Sequence, residues 1–334
     1  MSVPDHLVAA LEAELGAAVH RDAPLGARTT YRVGGTASLL VEVGSVTELV
    51  ALAGVTATTD ESVPVVVVGR GSNLLVADAG FDGIAVVLGE ELGAIEVEGT
   101  LLTAGGAASL PVVARRSAAV GLAGFEWAVG VPGSVGGAVR MNAGGHGSDM
   151  AATLRRVRVV DLRTGEDGWV TVSDLDLGYR RSCLGPHQVV AAAELVLARG
   201  DRATSEAELG EIVRWRREHQ PGGTNAGSVF TNPPGDSAGR LLDEAGAKGR
   251  RVGTAEVSAK HANFIQADEG GSADDVAALM AELRALVRAR AGIDLHAETH
   301  LLGFAPDQAA AAGARLLTGL EGIAPRDPRS GVEG

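Results

Sequence analysis

Between Gly130 and Gly147 the chain sets seven glycines among eighteen residues, and Arg140 is the only one of them charged at neutral pH. Glycine loses more conformational freedom on folding than any other residue, so a run this dense needs a return: left-handed backbone, or backbone brought close to a ligand. Successive peptide N–H groups left uncovered by side chains form a nest for an anion, most often a phosphate. The alternative is a flexible linker, but linkers are rich in serine and other polar residues. Here Val131, Val135, Val139 and Met141 punctuate the run and anchor it to a core. The segment therefore reads as a ligand loop held between regular elements.

With 334 residues the chain is long enough for two or three domains. A net charge of -13 and only 3% aromatic residues argue against a nucleic-acid partner, which needs cations for phosphates and rings for bases. Cys183 is the only cysteine, which excludes an intrachain disulfide and a cysteine zinc cage and fits a reducing compartment. The start, Met-Ser-Val-Pro-Asp-His-Leu, lacks the pattern of a secretory signal. No apolar run reaches the roughly 18 residues of a membrane helix. The expectation is a cytoplasmic protein without membrane insertion, monomeric or weakly dimeric.

Leu7, Leu11 and Leu15 recur at helical spacing, and Ser45 with Glu48 forms a capping box for a helix through about residue 53. The apolar strand Val65 to Val68 ends at Gly69-Arg-Gly-Ser-Asn73, and the β pattern resumes at Ile84 to Leu88. A helix over about 110–120 leads into the long glycine segment. Leu154 to Asp161 and Gly168 to Val172 read as a hairpin around Thr164-Gly165, and Val189 to Leu197 as a further strand. The hydrophilic stretch Arg199 to Thr204 is the expected boundary of a separate α+β unit. Beyond it Ser205 and Glu208 are expected to cap a helix through His219, with Ile212 and Trp215 on its apolar side. Ser272 to Ala291 reads as a long helix closed by Gly292, and Ile293 to Leu302 as an alternating strand.

Several candidates for chemistry stand out. Gly69-Arg-Gly-Ser-Asn follows a strand but fails the GxGxxG dinucleotide fingerprint, because Leu74 replaces the third glycine and no helix opens there. It remains an amide-rich turn able to hold a pyrophosphate, or a tight hairpin turn. Asp294, His296, Glu298 and His300 fall on one face of the last strand. They form a solvated polar face, a setting for Glu298 as a catalytic carboxylate, or part of a metal site. Ser228 lacks a hydrolase nucleophile elbow, since Phe230 occupies the last glycine position. Arg180 is either a solvent-facing arginine or a carboxylate clamp.

Taken in order, Thr30-Tyr-Arg-Val-Gly-Gly35, Gly69-Arg-Gly-Ser-Asn-Leu74, Gly130 through Gly144, Gly178-Tyr-Arg-Arg-Ser182, Ala226-Gly-Ser-Val-Phe230 with Asn232-Pro233, and Lys260-His261 resemble the UDP-N-acetylenolpyruvoylglucosamine reductases, the MurB family of peptidoglycan synthesis. The resemblance spans about residues 20–304. It implies an α+β fold: a two-lobed FAD-binding domain of the vanillyl-alcohol-oxidase (PCMH) type plus a C-terminal α+β substrate-binding domain. The expected division is 1–80 and 81–203 for the two FAD lobes, 204–305 for the C-terminal domain, and 306–334 for a partly disordered tail ending through Pro325-Arg-Asp-Pro-Arg329.

It further implies FAD, NADPH as reductant, and a sugar-nucleotide substrate whose enolpyruvyl group is reduced, with no metal. FAD would be held by Tyr31, Arg32, Gly69, Arg70, Gly71, Ser72, Asn73, Leu74, Gly130, Pro132, Gly133, Ser134, Gly136, Gly137, Ala138, Asn142 and Gly144. Arg180 would grip the substrate carboxylate, Glu298 would hydrogen-bond the developing charge, and Ser228 would donate the final proton. Tyr179, Asn232, Lys248 and Lys260 would contact the substrate.

The chain departs from the family at three cations: Thr231 and His219 stand where Lys is usual, and His300 where Arg is usual. That leaves Lys248, Arg251, Lys260 and Asn232 for the diphosphate, or points to another substrate. The short interval from Ser182 to Asn225 resembles the subgroup without an extra substrate-covering loop. Two alternatives stay open, a flavin oxidoreductase of this fold acting on another small molecule and a non-catalytic flavin- or nucleotide-binding paralogue.

Overall fold

Leu7, Val8 and Leu11 on the first helix pack against Leu49 and Leu52 on the second, and both helices cover the buried side of a sheet at Val41, Ile84 and Val86. This is seen in a computed structural model that describes residues 3–58 and 63–319. The first lobe runs through α1 (Asp5–Leu15), β1 (Val19–Pro24), β2 (Thr36–Val43), α2 (Val46–Thr56), β3 (Val65–Val68), β4 (Leu74–Val76) and β5 (Phe81–Leu88). Its sheet has the order β1-β2-β5-β3, with β2, β5 and β3 parallel. Central β5 is buried on both faces, which is why it reads as a continuous apolar run. The boundary expected after residue 80 therefore cuts off a strand that this sheet requires. Ser45 Oγ accepts the Glu48 N–H at 3.2 Å, while the Glu48 carboxylate reaches the Gly44 N–H at 2.7 Å, so α2 is capped from both sides.

The second lobe comprises β6 (Ile95–Glu98), β7 (Leu101–Gly105), α3 (Leu110–Ala119), β8 (Leu122–Ala123), α4 (Val135–Met141), β9 (Gly144–Gly145), β10 (Ser148–Asp149), β11 (Leu154–Asp161), β12 (Asp167–Thr171), β13 (Gln188–Val196), β14 (Ala198–Arg199) and α5 (Arg202–His219). The strands β12-β11-β13-β7-β6 form an antiparallel sheet, including the expected hairpin of β11 and β12. Helix α5, expected in the C-terminal unit, instead buries Leu209 and Ile212 with Phe125 and Trp127 of this lobe. Its cap is Asp201, whose carboxylate accepts the Thr204 N–H at 2.9 Å. Ser205 serves differently: its hydroxyl donates to buried Glu126 at 2.6 Å, and the Gly124 N–H donates to the other carboxylate oxygen at 2.7 Å. The hydrophilic run Arg199 to Thr204 thus overlaps the first turn of a helix docked on this lobe, and the expected boundary at 204 falls inside that docked element.

The C-terminal unit contains α6 (Ala238–Glu244), β15 (Arg251–Val252), β16 (Ala255–Val257), β17 (Ile265–Ala267), α7 (Ala273–Ala291), β18 (His300–Leu302), α8 (Pro306–Ala312) and β19 (Leu316–Leu317). As expected, α7 is capped by Ser272 and closed by Gly292 at φ 70°. Its core gathers α7 with Phe230, Val257 and Ile265, and takes in Tyr31, Val33 and Leu75 from the first lobe. The parallel ladder β19-β18-β4 joins the two units directly. The first part of the expected tail is therefore folded, as α8 and β19, while Pro325 to Arg329 lie outside the described residues. Among the described residues no helix is long and apolar enough to cross a membrane.

Candidate active site

Between the two lobes and the C-terminal unit lies a cleft of about 560 Å³. A narrower extension of about 200 Å³ runs between β3 and α4. Its floor is the turn after β3, where Gly71 holds φ +61° and a Cβ would stand 2.5 Å from Thr29 Cα. At Gly69 a Cβ would come 2.5 Å from Ser134 Oγ, so glycine is what lets the two glycine segments meet. Two carbonyls of this turn are engaged within the protein: Gly71 O accepts the Thr30 N–H at 3.2 Å, and Asn73 O accepts the His300 N–H at 3.1 Å.

The long glycine segment departs from the expectation of an open amide nest. Val135–Met141 is a short helix, with Ser134 as its cap. Its first amides are engaged: Val135 N–H donates to Ala108 O and Gly136 N–H to Gly106 O, both at 2.9 Å, and Gly137 N–H to Ser134 Oγ at 3.4 Å. The glycines serve close packing instead, since a Cβ on Gly136 would lie 3.2 Å from Gly106 O.

At one end of the cleft the structure brings Arg180, Ser228 and Glu298 into the same wall. Arg180 sits at the tip of a tight turn closed by Gly178 and Arg181, with φ +56°, a conformation few non-glycine residues adopt. Its Nη2 donates to Gly144 O at 3.0 Å. Its Nε lies 2.9 Å from Glu298 Oε1 but out of line for a hydrogen bond. Glu298 is fixed by its own backbone: its N–H donates to Val229 O at 2.7 Å, and its carbonyl accepts the Asn73 side-chain amide at 3.0 Å. Pairing with Val229 brings the segment that carries Ser228, one residue earlier, to the same cleft lining as Glu298. Burial pushes the Glu298 carboxyl up, against the opposing charge of Arg180.

The last strand is shorter than expected, since only His300–Leu302 is extended in a ladder. Glu298 and His300 face the cleft, but Asp294 pairs with Arg284 at 2.6 Å and His296 is exposed. The four side chains do not share a face, and among the described residues no three His, Cys, Asp or Glu groups converge as metal ligands. His300 is half-buried against Met141 Sδ at 3.2 Å, and desolvation, helped by Arg140 and Arg315, holds its pKa down to about 3.

Of the expected cofactor contacts, Gly69 to Leu74, Pro132, Gly133, Ser134, Gly137, Ala138 and Gly144 line the cleft, and Gly136 lines its extension. Four do not. Tyr31 is fully buried with Ala226, Val229 and Phe230. Arg32 is an exposed residue in a left-handed turn. Gly130 packs against Ile212 and Arg216. Asn142 ties three strands of chain together, accepting from Ala151 N–H and donating to Asp149 and Gly178 O.

The expected substrate contacts also stand apart from the cleft wall. Tyr179 is 61% exposed with its ring under the Arg180 guanidinium. Asn232 accepts the Ala238 N–H at 3.0 Å, Lys248 pairs with Asp243 at 2.7 Å, and Lys260 donates to Arg217 O. Arg251 is matched by Glu256 and Asp268. Sequence reasoning missed Trp215, Arg216 and Gln220, which line the cleft from the end of α5. Their helical spacing with Ile212 reads as a core face, but Trp215 is 45% exposed.

Two family models match the chain: an FAD-binding domain over residues 37–169 and the UDP-N-acetylenolpyruvoylglucosamine reductase C-terminal domain over residues 219–302. UDP-N-acetylenolpyruvoylglucosamine reductase 2 of Symbiobacterium thermophilum is 41% identical over 86% of this chain and 93% of its own length. The Bacillus subtilis UDP-N-acetylenolpyruvoylglucosamine reductase is 38% identical over 87% of this chain and 96% of its own. The crystal structure of the Thermus caldophilus UDP-N-acetylenolpyruvylglucosamine reductase superposes with a TM-score of 0.73 at 36% identity, covering 85% of this chain and 98% of that one. With an FAD domain, the matching C-terminal domain and full-length relatives of one name, this chain belongs to the UDP-N-acetylenolpyruvoylglucosamine reductase family.

Proposed function

We propose that the protein reduces the enolpyruvyl group of UDP-N-acetylglucosamine enolpyruvate to give UDP-N-acetylmuramate, with NADPH as electron source and FAD as mediator, in the cytoplasm and as a monomer or weak dimer. The observation that carries this reading is the Arg180–Glu298 pair, with Ser228 lining the same cleft as the glycine turn at Gly69 to Asn73. The cleft fits FAD: the turn at Gly69 to Asn73 lines it with little side-chain bulk, with the Gly71 and Asn73 carbonyls engaged within the protein, and Gly137 adds no side chain to its wall. That turn would hold the pyrophosphate, and Pro132 to Gly137 the flat ring system. When bound, FAD supplies the group that takes a hydride from NADPH and passes it to the second substrate, so that both react in turn at one place.

The protein's own side chains complete the chemistry. Arg180 meets the enolpyruvyl carboxylate with a fixed positive charge and a donor not aligned to any internal acceptor. Glu298, pushed toward its neutral form by burial, donates to the charge that develops on that carboxylate. Ser228 gives its proton to the substrate carbon. The first test is spectroscopic: the purified protein is expected to carry flavin that bleaches on anaerobic addition of NADPH. A colourless protein, or bound flavin indifferent to NADPH, would contradict the assignment.

A further inference from the structure

Arg140, the one charged residue of the glycine segment, has no part in the chemistry above. It lines both the cleft and its extension, where the two spaces meet beside Gly69 and Gly137. The helix that carries it does not offer an amide nest, because the N–H groups of Val135, Gly136 and Gly137 are all bonded inside the protein. What α4 presents instead is a guanidinium. Its charge acts on the cleft wall, where it adds to the desolvation that lowers the His300 pKa.

The loop over residues 182–188 fixes this guanidinium from behind. Arg140 Nη1 donates to Gly185 O at 2.6 Å, and Ser182 Oγ donates to the Arg140 carbonyl at 2.6 Å. Gly185 is fixed in turn by Gln188, whose Oε1 accepts the Gly185 N–H at 2.9 Å and whose own N–H donates to Gly185 O at 3.2 Å. Gln188 Nε2 donates to the buried Asp161 carboxylate at 3.1 Å. An ionised carboxylate only accepts, so this bond decides which end of the Gln188 amide faces Gly185. Burial would raise the Asp161 pKa, but the His187 ring and the Arg163 and Thr164 amides outweigh it and hold it down to about 2. The loop also reaches the opposite wall of the extension, since Pro186 O accepts the N–H of Val67 on edge strand β3 at 3.1 Å.

A cation in a last helical turn can simply offset the helix dipole. That role needs no fixed geometry, whereas Arg140 is half-buried and tied to a loop that is itself keyed to a buried carboxylate. Arg70 lines the same two spaces but is exposed, so water and salt screen its charge more strongly.

We propose that Arg140 is the cation that binds the FAD diphosphate, in the role an amide nest would otherwise fill, and that Gln188 with Asp161 behind it is the pair that positions it. The inference rests on the FAD reading given under Proposed function and adds to the Gly69 turn a charge matched to a diphosphate.

The test is FAD affinity, read from flavin fluorescence as the holoprotein is diluted and as FAD is titrated back, at low and at high salt. Arg140→Met is expected to weaken FAD by about tenfold or more at low salt, the strength of a charge-assisted phosphate contact. It should also flatten the salt dependence that the wild type shows. Arg140→Lys should restore part of the affinity. Gln188→Leu should give a smaller loss of the same sign, and little further loss in the Arg140→Met background, because a positioning residue acts through the residue it positions. A wild type that binds FAD, with Arg140→Met within about twofold of it at low salt or equally sensitive to salt, overturns the proposal alone. A larger loss from Arg70→Met moves the anchor to Arg70 and overturns it too, and an equal loss from Gln188→Leu in both backgrounds removes the positioning pair. If Arg140→Met cannot be purified folded, unchanged affinity in Arg140→Lys and Gln188→Leu overturns the proposal. A wild type that binds no flavin overturns the functional reading as well.

Discussion

Arg180 and Glu298 form a charged pair that lines the cleft. The guanidinium is held by Gly144 O from one side and stands close to, but out of line with, the Glu298 carboxylate on the other. Burial raises the Glu298 pKa above its ordinary 4.5 while Arg180 opposes the rise. If the neutral carboxyl is the working donor, reoxidation of the reduced enzyme by the enolpyruvyl substrate slows as pH rises through that raised pKa. Glu298→Gln, neutral at every pH, should lose this alkaline limb. A limb that persists in the variant would assign it to another group. Ser228→Ala should keep bound flavin and its reduction by NADPH, while reoxidation falls by about 10²–10⁴. Stopped-flow showing equal reoxidation in wild type and variant would remove Ser228 from the proton transfer. That these three residues line one cleft was reachable from the sequence through the order of motifs, not from local spacing: the segments of Ser228 and Glu298 are joined by the backbone bond from Glu298 to Val229. Trp215 was hidden, because at helical spacing from Ile212 it reads as core until the helix is seen to end at a cleft.

At the scale of elements, the glycine segment shows that one composition can serve two roles. Part of it lines the cleft, but its helix was not legible in the sequence, since glycine disfavours helix and the Ser134 cap and the contacts with Gly106 and Ala108 hold it. Gly137 and Gly136 separate these roles. A Cβ on Gly137 meets only Ser134 Oγ at 3.4 Å, so Gly137→Val directs its bulk into the cleft. That variant should fold with near wild-type thermal stability and purify without flavin. A yellow Gly137→Val protein would show that FAD lies elsewhere. On Gly136 the same change presses on the Gly106 and Val190 carbonyls and should weaken folding as well. The last strand was overread for a plain reason: alternation from Ile293 to Leu302 carries no information about which residues find a ladder partner, and only His300–Leu302 meets β4.

The whole molecule is held closed around the cleft by contacts that cross its parts. The β19-β18-β4 ladder runs from the C-terminal unit into the first lobe. Asp78, from that lobe, accepts the Ala273 N–H at 2.9 Å and the Asp274 N–H at 3.2 Å, giving α7 a second cap. Burial would raise the Asp78 pKa, but these bonds and that from Ser272 outweigh it and hold it low. Such crossings explain why the parts were legible in sequence and their borders were not: β5 and α5 are claimed by partners distant in the chain. They also leave Arg180 from the second lobe, Ser228 and Glu298 from the C-terminal unit and the Gly69 turn from the first lobe facing one space. The account holds that both reactants use this space in turn. The most direct measurement is anaerobic: the FAD-loaded protein is bleached with equimolar NADPH, and UDP-N-acetylglucosamine enolpyruvate is added. Return of the flavin absorbance with equimolar formation of UDP-N-acetylmuramate is the expected result, and a flavin that stays bleached in excess substrate would contradict the account.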